Sequence, residues 1–273
     1  MKRYTWRTLI LEIVMIIAGL IVAAPLYVLV NLAIRSQSEV GSPITPTQHP
    51  TFDNFATAWE QAHLGSALVN SVLITAAGTA LTVIVSVFAA YPLARITRGW
   101  TKIIFAGFIL GLIIPGVLGA LPLYRTMRDL GLLGTPWALI LIYGGAGIPF
   151  SVLLYVGFLR AAPPEFEQAA LIDGCNSFQA FWYVVLPMMR PVTSTVIVLN
   201  TVSTWNDFFT PLLYLSGTKG QTLPVAVSTF VSQYFTDWGL IFAGIIISIV
   251  PVLVFYLFLQ RYIINGFAGG LKG

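Results

Sequence analysis

PPEFEQAALIDGCNSFQAFWYVVLP, residues Pro163 to Pro187, is the stretch whose reading decides the fold of this chain. It is a mostly polar insert between long hydrophobic runs, and its residues encode two short helices around a glycine corner. Pro163 and Pro164 suit a helix start, where a missing N–H costs nothing, and Glu165 and Glu167 fall in the first turn, where the positive end of the helix favours anions. Gln168 to Ile172 tolerate or favour helix, and Asp173-Gly174 supplies a stop, with Gly174 able to take the left-handed conformation. About ten helical residues reach only about 15 Å, too short to cross a bilayer. Asn176 or Ser177 can cap a second helix, which carries Phe178, Phe181 and Trp182 and is expected to end at the Leu186-Pro187 break. The pair predicts a knob that projects from a membrane toward a soluble partner.

Around that insert the composition is that of an integral membrane protein. Hydrophobic residues make up 57% and charged residues 9% of 273 residues, and the mean hydropathy is +0.86, which together allow about six membrane spans. The single cysteine, Cys175, excludes a disulfide framework within the chain and a cysteine-based metal cluster, and reads as a small loop residue. A net charge of +4 invites a nucleic-acid reading. The basic residues, however, stand in ones and twos at span ends and form no stripe, so their placement reports topology.

Hydrophobic windows fall at Leu9 to Ile34, Leu64 to Ala90, Ile103 to Leu123, Pro136 to Leu159, Pro191 to Leu215 and Trp238 to Leu259. This pattern predicts an all-α integral membrane fold of six transmembrane helices, with the two-helix loop between the fourth and fifth. Six spans put both termini on one side. That side would hold Lys2, Arg3, Arg7, Arg95, Arg98, Lys102, Arg160, Arg190, Arg261 and Lys272, against Arg35, Arg125, Arg128 and Lys219 on the other. The excess places both ends, and the knob, in the cytoplasm. The first apolar run is too long for the hydrophobic region of a secretory signal and is read as a retained anchor. Trp6, Trp100, Trp137 and Trp238 stand at span starts as interfacial anchors.

Three segments follow: residues 1–63 as a first span and external loop, 64–260 as a five-helix core that includes the coupling loop 161–190, and 261–273 as a cytoplasmic tail. The external loop, about Arg35 to His63, is rich in Pro, Thr, Ser and Gln. Its histidines, His49 and His63, lack a nearby carboxylate or cysteine set and read as surface residues, so no metal site is expected. Small residues recur at helical spacing at Ala76, Ala77 and Ala80, at Gly107 and Gly111, and at Gly144, Gly145 and Gly147, and predict close helix packing. Pro115, Pro149, Pro211 and Pro251 predict kinks or breaks.

The most unusual polar cluster within the spans is Trp205, Asn206 and Asp207, with Asn200 about two turns before. A carboxylate at mid-membrane costs on the order of 3 kcal/mol, so Asp207 is expected to face the protein interior, a water-filled cavity or the outer interface. Two readings stand: the cluster lines a translocation pathway, or Asp207 sits near the outer surface and ties down the next turn. No catalytic constellation occurs. There is no G-x-S-x-G elbow, no His-Glu-x-x-His pair, and no G-x-x-x-x-G-K-[ST] phosphate loop.

The insert resembles the cytoplasmic EAA loop of the permease subunits of ATP-binding cassette importers. The match is Gln168-Ala169-Ala170, Asp173-Gly174 and Leu186-Pro187, with Gln168 standing where the family usually has Glu. Glu167, one residue earlier, does not fill the same helical face, so the resemblance implies a weakened polar contact there and no loss of docking. NSVLITAAGTALTVIVSVFAAYPLARI from Asn70, STWNDFFTPLLYL from Ser203, and QRYIINGFAGGLKG from Gln260 are similar to carbohydrate-importer permeases of the maltose type. The likeness covers nearly the whole chain.

The resemblance implies a permease subunit of a sugar importer in the bacterial inner membrane that forms half of a translocation pathway. Its implied partners are a second homologous permease, two copies of a cytoplasmic ATPase that bind ATP and Mg, an extracytoplasmic sugar-binding protein and membrane lipid. No nucleic acid and no cofactor in the chain itself are implied. Phe166, Glu167, Gln168, Ala169, Ala170, Asp173 and Gly174 would couple to the ATPase, with Phe166, Ala169 and Ala170 as its apolar face. Asn200, Trp205, Asn206 and Asp207 are the pathway candidates. The alternative is a stand-alone secondary transporter with Asp207 as a proton or ion site, which gives the knob no role.

Overall fold

The computed structural model describes residues 5–215, 217–218, 220–231 and 237–270, with side chains through Phe258 in the last helix. In chain order the first helices are α1 (Trp6–Ala33), α2 (Asp53–Gln61), α3 (Leu64–Arg95), α4 (Gly99–Ile113), a 3-10 turn (Gly116–Gly119) and α5 (Ala120–Asp129). Next come α6 (Pro136–Ala146), α7 (Ile148–Ala161), α8 (Glu165–Ile172), α9 (Ser177–Ala180), a π-helical turn (Phe181–Val185) and α10 (Leu186–Met188). The chain continues as α11 (Arg190–Asn206), α12 (Phe209–Leu215), α13 (Leu223–Ser228) and α14 (Trp238–Gly270). Among the described residues the chain is all-α, with one isolated bridge between Arg35 and Pro50.

Among the described residues, four stretches are long and apolar enough to span a membrane: Trp6–Ala33, Leu64–Arg95, Pro136–Ala161 and Trp238–Phe258. The other two expected spans are bent pairs. Gly99–Ile113 and Gly116–Asp129 meet at 94°, and Ser177–Met188 and Arg190–Asn206 meet at 66°. The third predicted span, Ile103 to Leu123, therefore does not run straight. Pro115 is extended at the break (φ −60°, ψ 123°) and lacks the N–H that would carry the helix onward. Counted as one span each, the bent pairs complete the six.

The second correction concerns Pro187. The knob's second helix was expected to stop there, but helical backbone runs on through Met188. Its ladder widens into a π turn over Phe181–Val185 just before the proline, an arrangement that frees backbone groups where a donor is missing. The fifth span also ends early. α11 stops at Asn206, Asp207 is extended, and α12 starts again at Phe209.

The chain divides into two compact units: Met1–Gly65 with Leu223–Val250, and Ser66–Thr222 with Pro251–Gly273. The five-helix core expected over 64–260 is thus shared between them. The backbone expected as a tail is helical as far as Gly270, and residues 271–273 lie outside the described residues, as do Lys2, Arg3 and Lys219 of the charge comparison.

In the first unit the external loop is fastened by its own polar groups. Arg35, counted above as an outer charge, is only 7% exposed, and its guanidinium donates to the carbonyls of Gly41, Ser42 and Thr45. Asn31 Nδ2 donates to the carbonyls of Pro43 and Thr45, and its Oδ1 accepts from the Thr47 amide. The Glu39 carboxylate accepts from the Thr47 hydroxyl at 2.6 Å and the Gln48 amide at 3.0 Å. Those donors, the Thr47 hydroxyl first, hold its pKa below the usual carboxylate value. His49 and His63 are both exposed.

In the second unit the α3 packing seam differs from the expectation. Ala76 and Ala80 are exposed, whereas Ser71, Thr75, Thr79, Thr82 and Ser86 are buried. Small hydroxyl side chains thus supply the close-packing face. Thr82 shows how they are satisfied: its hydroxyl lies within hydrogen-bond reach of the Gly78 carbonyl on its own helix and the Gly144 carbonyl on α6, both at 3.1 Å. One apolar core at the α3, α7 and π-turn junction includes Val87, Leu93, Tyr155, Leu159, Phe181 and Val185. A second includes Ile74, Met127, Leu139, Tyr214 and Leu215.

Candidate functional site

Two sites take shape in the second unit, and the first is the knob. α8 spans eight residues, about 12 Å. Its end is a Schellman motif: the Cys175 amide donates to the Ala170 carbonyl at 3.0 Å and the Gly174 amide to the Leu171 carbonyl at 3.2 Å. Gly174 has φ +90°, the left-handed conformation that L side chains rarely adopt. Asn176 rather than Ser177 caps the next helix. Its Oδ1 accepts from the Gln179 amide, and Gln179 Oε1 accepts from the Asn176 amide, both at 2.9 Å, a reciprocal capping box.

The knob is tied to the membrane helices by the Glu167 carboxylate. Glu167 is 8% exposed and pairs with Arg95 at the end of α3. Arg95 Nε donates to Glu167 Oε1 at 2.7 Å, and the Tyr91 hydroxyl reaches Oε2 at 3.3 Å. The same guanidinium donates to the Leu159 carbonyl on α7 at 2.7 Å. One half-buried cation thus links α3, α7 and α8. Within the chain it is the residue before Gln168 that supplies a carboxylate and turns inward, while Gln168 itself is exposed. Aromatic packing adds to the clamp: the Phe181 ring lies 5.0 Å from Tyr91 and 5.5 Å from Phe88, centroid to centroid.

The three residues expected to form the apolar face of the knob differ in exposure. Ala170 is buried within the chain, while Phe166 and Ala169 are exposed. Phe166 is 58% and Ile172 85% exposed, and Leu171, Phe178 and Tyr183 are exposed as well. Asp173 and Gly174 sit on the exposed corner.

The second site runs along α11. A cavity of about 310 Å³ is lined by Tyr143, Gly147, Phe150, Asn200, Ser203 and Thr204, among others. Asn200 Nδ2 donates to the Val196 carbonyl at 2.9 Å and lies 3.2 Å from the Ser151 hydroxyl. Gly147 is required for this approach, since a Cβ there would collide with Asn200 Oδ1 and with Thr82.

The four pathway candidates do not share one environment. Asn200 lines the cavity. Trp205 is buried, and Asn206 is exposed with its amide bonded to the Val202 carbonyl. Asp207 ties the start of α12, accepting from the Tyr143 hydroxyl at 3.0 Å, the Thr210 hydroxyl at 2.5 Å and the Thr210 amide at 3.3 Å. The reading in which Asp207 secures the next turn therefore describes its contacts. Sequence reasoning missed Arg95 and Tyr91 at the knob and Tyr143, Ser203 and Thr204 at the cavity. The last two had a signal: Asn200, Ser203, Thr204 and Asp207 stand at i, i+3, i+4 and i+7, one face of a helix.

The whole chain has known relatives. Residues 9–267 match the family described as binding-protein-dependent transport system inner membrane component. The chain is 34% identical over 272 residues to the melibiose/raffinose/stachyose import permease protein MelC of Bacillus subtilis, covering 98% of this chain and 99% of the relative. It is 32% identical over 259 residues to the diacetylchitobiose uptake system permease protein NgcG of Streptomyces coelicolor, covering 94% and 86%. Its fold is similar to that of a chain in the crystal structure of a bacterial ABC transporter involved in the import of the acidic polysaccharide alginate, with a TM-score of 0.81, 22% identity and coverage of 96% and 99%. A span-rich all-α bundle with a short clamped helix outside it, matched along nearly its full length, belongs to the binding-protein-dependent transport system inner membrane components and is the permease subunit of an ATP-binding cassette transporter.

Proposed function

We infer that this permease imports a sugar, pairing with a second, similar permease and taking its energy from two copies of a cytoplasmic ATPase that bind ATP and Mg. The activities of the relatives, which include import of melibiose, raffinose and stachyose, support the substrate class. The family's binding-protein dependence supports a sugar-binding protein on the outer side. Both termini and the knob face the cytoplasm in this reading, in line with the charge excess on that side.

The observation that carries the coupling role is the clamp. α8 is too short to fold alone, yet it is held against α3 and α7 through Arg95 and Glu167 while Phe166 and Ile172 stay exposed. A helix so held transmits displacement of its outer face to the spans. Closure of the ATPase dimer would pull the knobs together and rock the bundle from inward-open to outward-open. Moving such an equilibrium from 1:99 to 99:1 needs about 5.5 kcal/mol, supplied by partners that bind the two states differently. The α11 cavity, with Asn200, Ser203 and Thr204 facing it, offers hydroxyl-compatible hydrogen bonding along the route. The Asp207 carboxylate is engaged by Tyr143 and Thr210, and the match to binding-protein-dependent transport components lends the ATP-independent alternative no support.

The test is to purify the subunit from its native membrane, identify what copurifies, and measure ATPase activity with a panel of sugar-loaded binding proteins. A second permease and an ATPase stimulated by one sugar class is the expected result. Full-speed uptake by this chain alone in nucleotide-free vesicles would overturn the reading.

A further inference from the structure

A second cleft, of about 730 Å³, opens in the same unit where α3 ends, α4 begins and α7 ends. Its wall is mostly apolar, with Phe105, Ile109 and Leu110 along α4, and its polar contribution includes Lys102, Arg160 and Thr97. Among the described residues no carboxylate lines it. Arg160 is held in place, its guanidinium carbon 4.9 Å from the centre of the Phe105 ring and Nη2 donating to the Leu93 carbonyl at 3.4 Å. Lys102 is exposed. Among the described residues the ion pairs are Arg95 with Glu167 and Arg128 with Asp129, so neither cation of the cleft has a carboxylate partner.

We propose that this cleft is a binding site for one anionic membrane phospholipid, with its phosphate between Lys102 and Arg160 and its upper acyl chain along Phe105, Ile109 and Leu110. Two features select that occupant. Two cations lining one cleft without counter-charge complement a phosphate, and basic pockets between membrane helices are suited to acidic headgroups. The apolar wall continues onto a helix whose Ile103 and Leu110 are 74% and 60% exposed, a surface that suits lipid chains and gives nothing to a free, fully hydrated anion. Arg160 precedes the knob by only a few residues, and the Leu93 carbonyl it binds lies two residues before Arg95. A lipid held there would brace the α3 end from which the knob is hung. This site is separate from the sugar reading and stands whether or not the substrate is a sugar.

The experiment is to reconstitute the purified full chain in nanodiscs of phosphatidylcholine containing a minor fraction of phosphatidylglycerol, re-extract it in mild detergent, and quantify both retained lipids by mass spectrometry. The wild type is expected to retain phosphatidylglycerol above its bulk fraction. Lys102→Gln should reduce that enrichment about fivefold and Lys102→Gln with Arg160→Gln about 25-fold, since each basic residue near an acidic headgroup contributes about a factor of five. Lys102→Gln removes no hydrogen bond within the fold, so it remains informative if the Arg160 variant folds poorly, and Arg160→Lys should retain most of the enrichment. Equal retention of the two lipids by the wild type, unchanged enrichment in Lys102→Gln, or displacement of the lipid by millimolar inorganic phosphate would each overturn the proposal.

Discussion

The knob and the α11 cavity use polar chemistry in opposite ways. At the knob a full charge pair is largely withdrawn from solvent and bonded: buried Glu167 and half-buried Arg95, with Tyr91 and the Leu159 carbonyl taking up further bonding positions. Along α11 the groups are neutral, and Asn200, Ser203 and Thr204 face open space with Gly147 opposite. A buried pair tolerates the loss of neither partner, because the survivor is left charged in a poor solvent. Neutral groups on a cavity can exchange partners at little cost, which suits a route that a hydroxyl-rich solute must enter and leave. On the proposed reading, the permease is stiff where displacement would be passed on and adaptable where solute would pass.

The difference can be tested in order of expected effect. Glu167→Ala should be the most damaging, costing about 3–5 kcal/mol of stability with loss of uptake, while Arg95→Ala with Glu167→Ala should recover part of the stability. Thermal unfolding of the purified variants measures both, and an unchanged midpoint for Glu167→Ala would show that the pair is not the anchor. Gly147→Ala should cost about 1–3 kcal/mol through overpacking against Asn200 and Thr82, and adding Asn200→Ala should relieve it, so the two changes combine non-additively in a double-mutant cycle. Gly174→Ala meets no neighbouring atom and should cost about 1–2 kcal/mol through its left-handed backbone alone. ATPase stimulation should survive Gly174→Ala better than Glu167→Ala. At the cavity, Ser203→Ala should leave stability within about 0.5 kcal/mol yet raise the KM for uptake about threefold to tenfold, the worth of one hydrogen bond. A KM equal to wild type would remove Ser203 from the route.

Local signals decided what could be read without coordinates. Gly174 ended α8, as the Asp173-Gly174 pair announced, and Asn176 with Gln179 formed a cap spelled out within four residues. What stayed open was what depends on a remote partner. Glu167 bonds to Arg95, 72 residues away in sequence, and Asp207 to Tyr143, 64 residues away. Pro187 was read as a stop because proline lacks an N–H, but the π turn ahead of it absorbed the defect. Arg35 was counted as an outer charge and proved to be the buried tie of its own loop.

The sequence by itself determined the spans, the extramembrane insert and its helix stops, because hydropathy, helix caps and glycine conformation are properties of a few adjacent residues. The tertiary structure alone decided which carboxylate clamps the knob, where two of the spans bend, and which face of α11 lines open space. Those outcomes depend on burial and on partners from distant helices, and a carboxylate or an asparagine has no fixed energetic value until its surroundings are set.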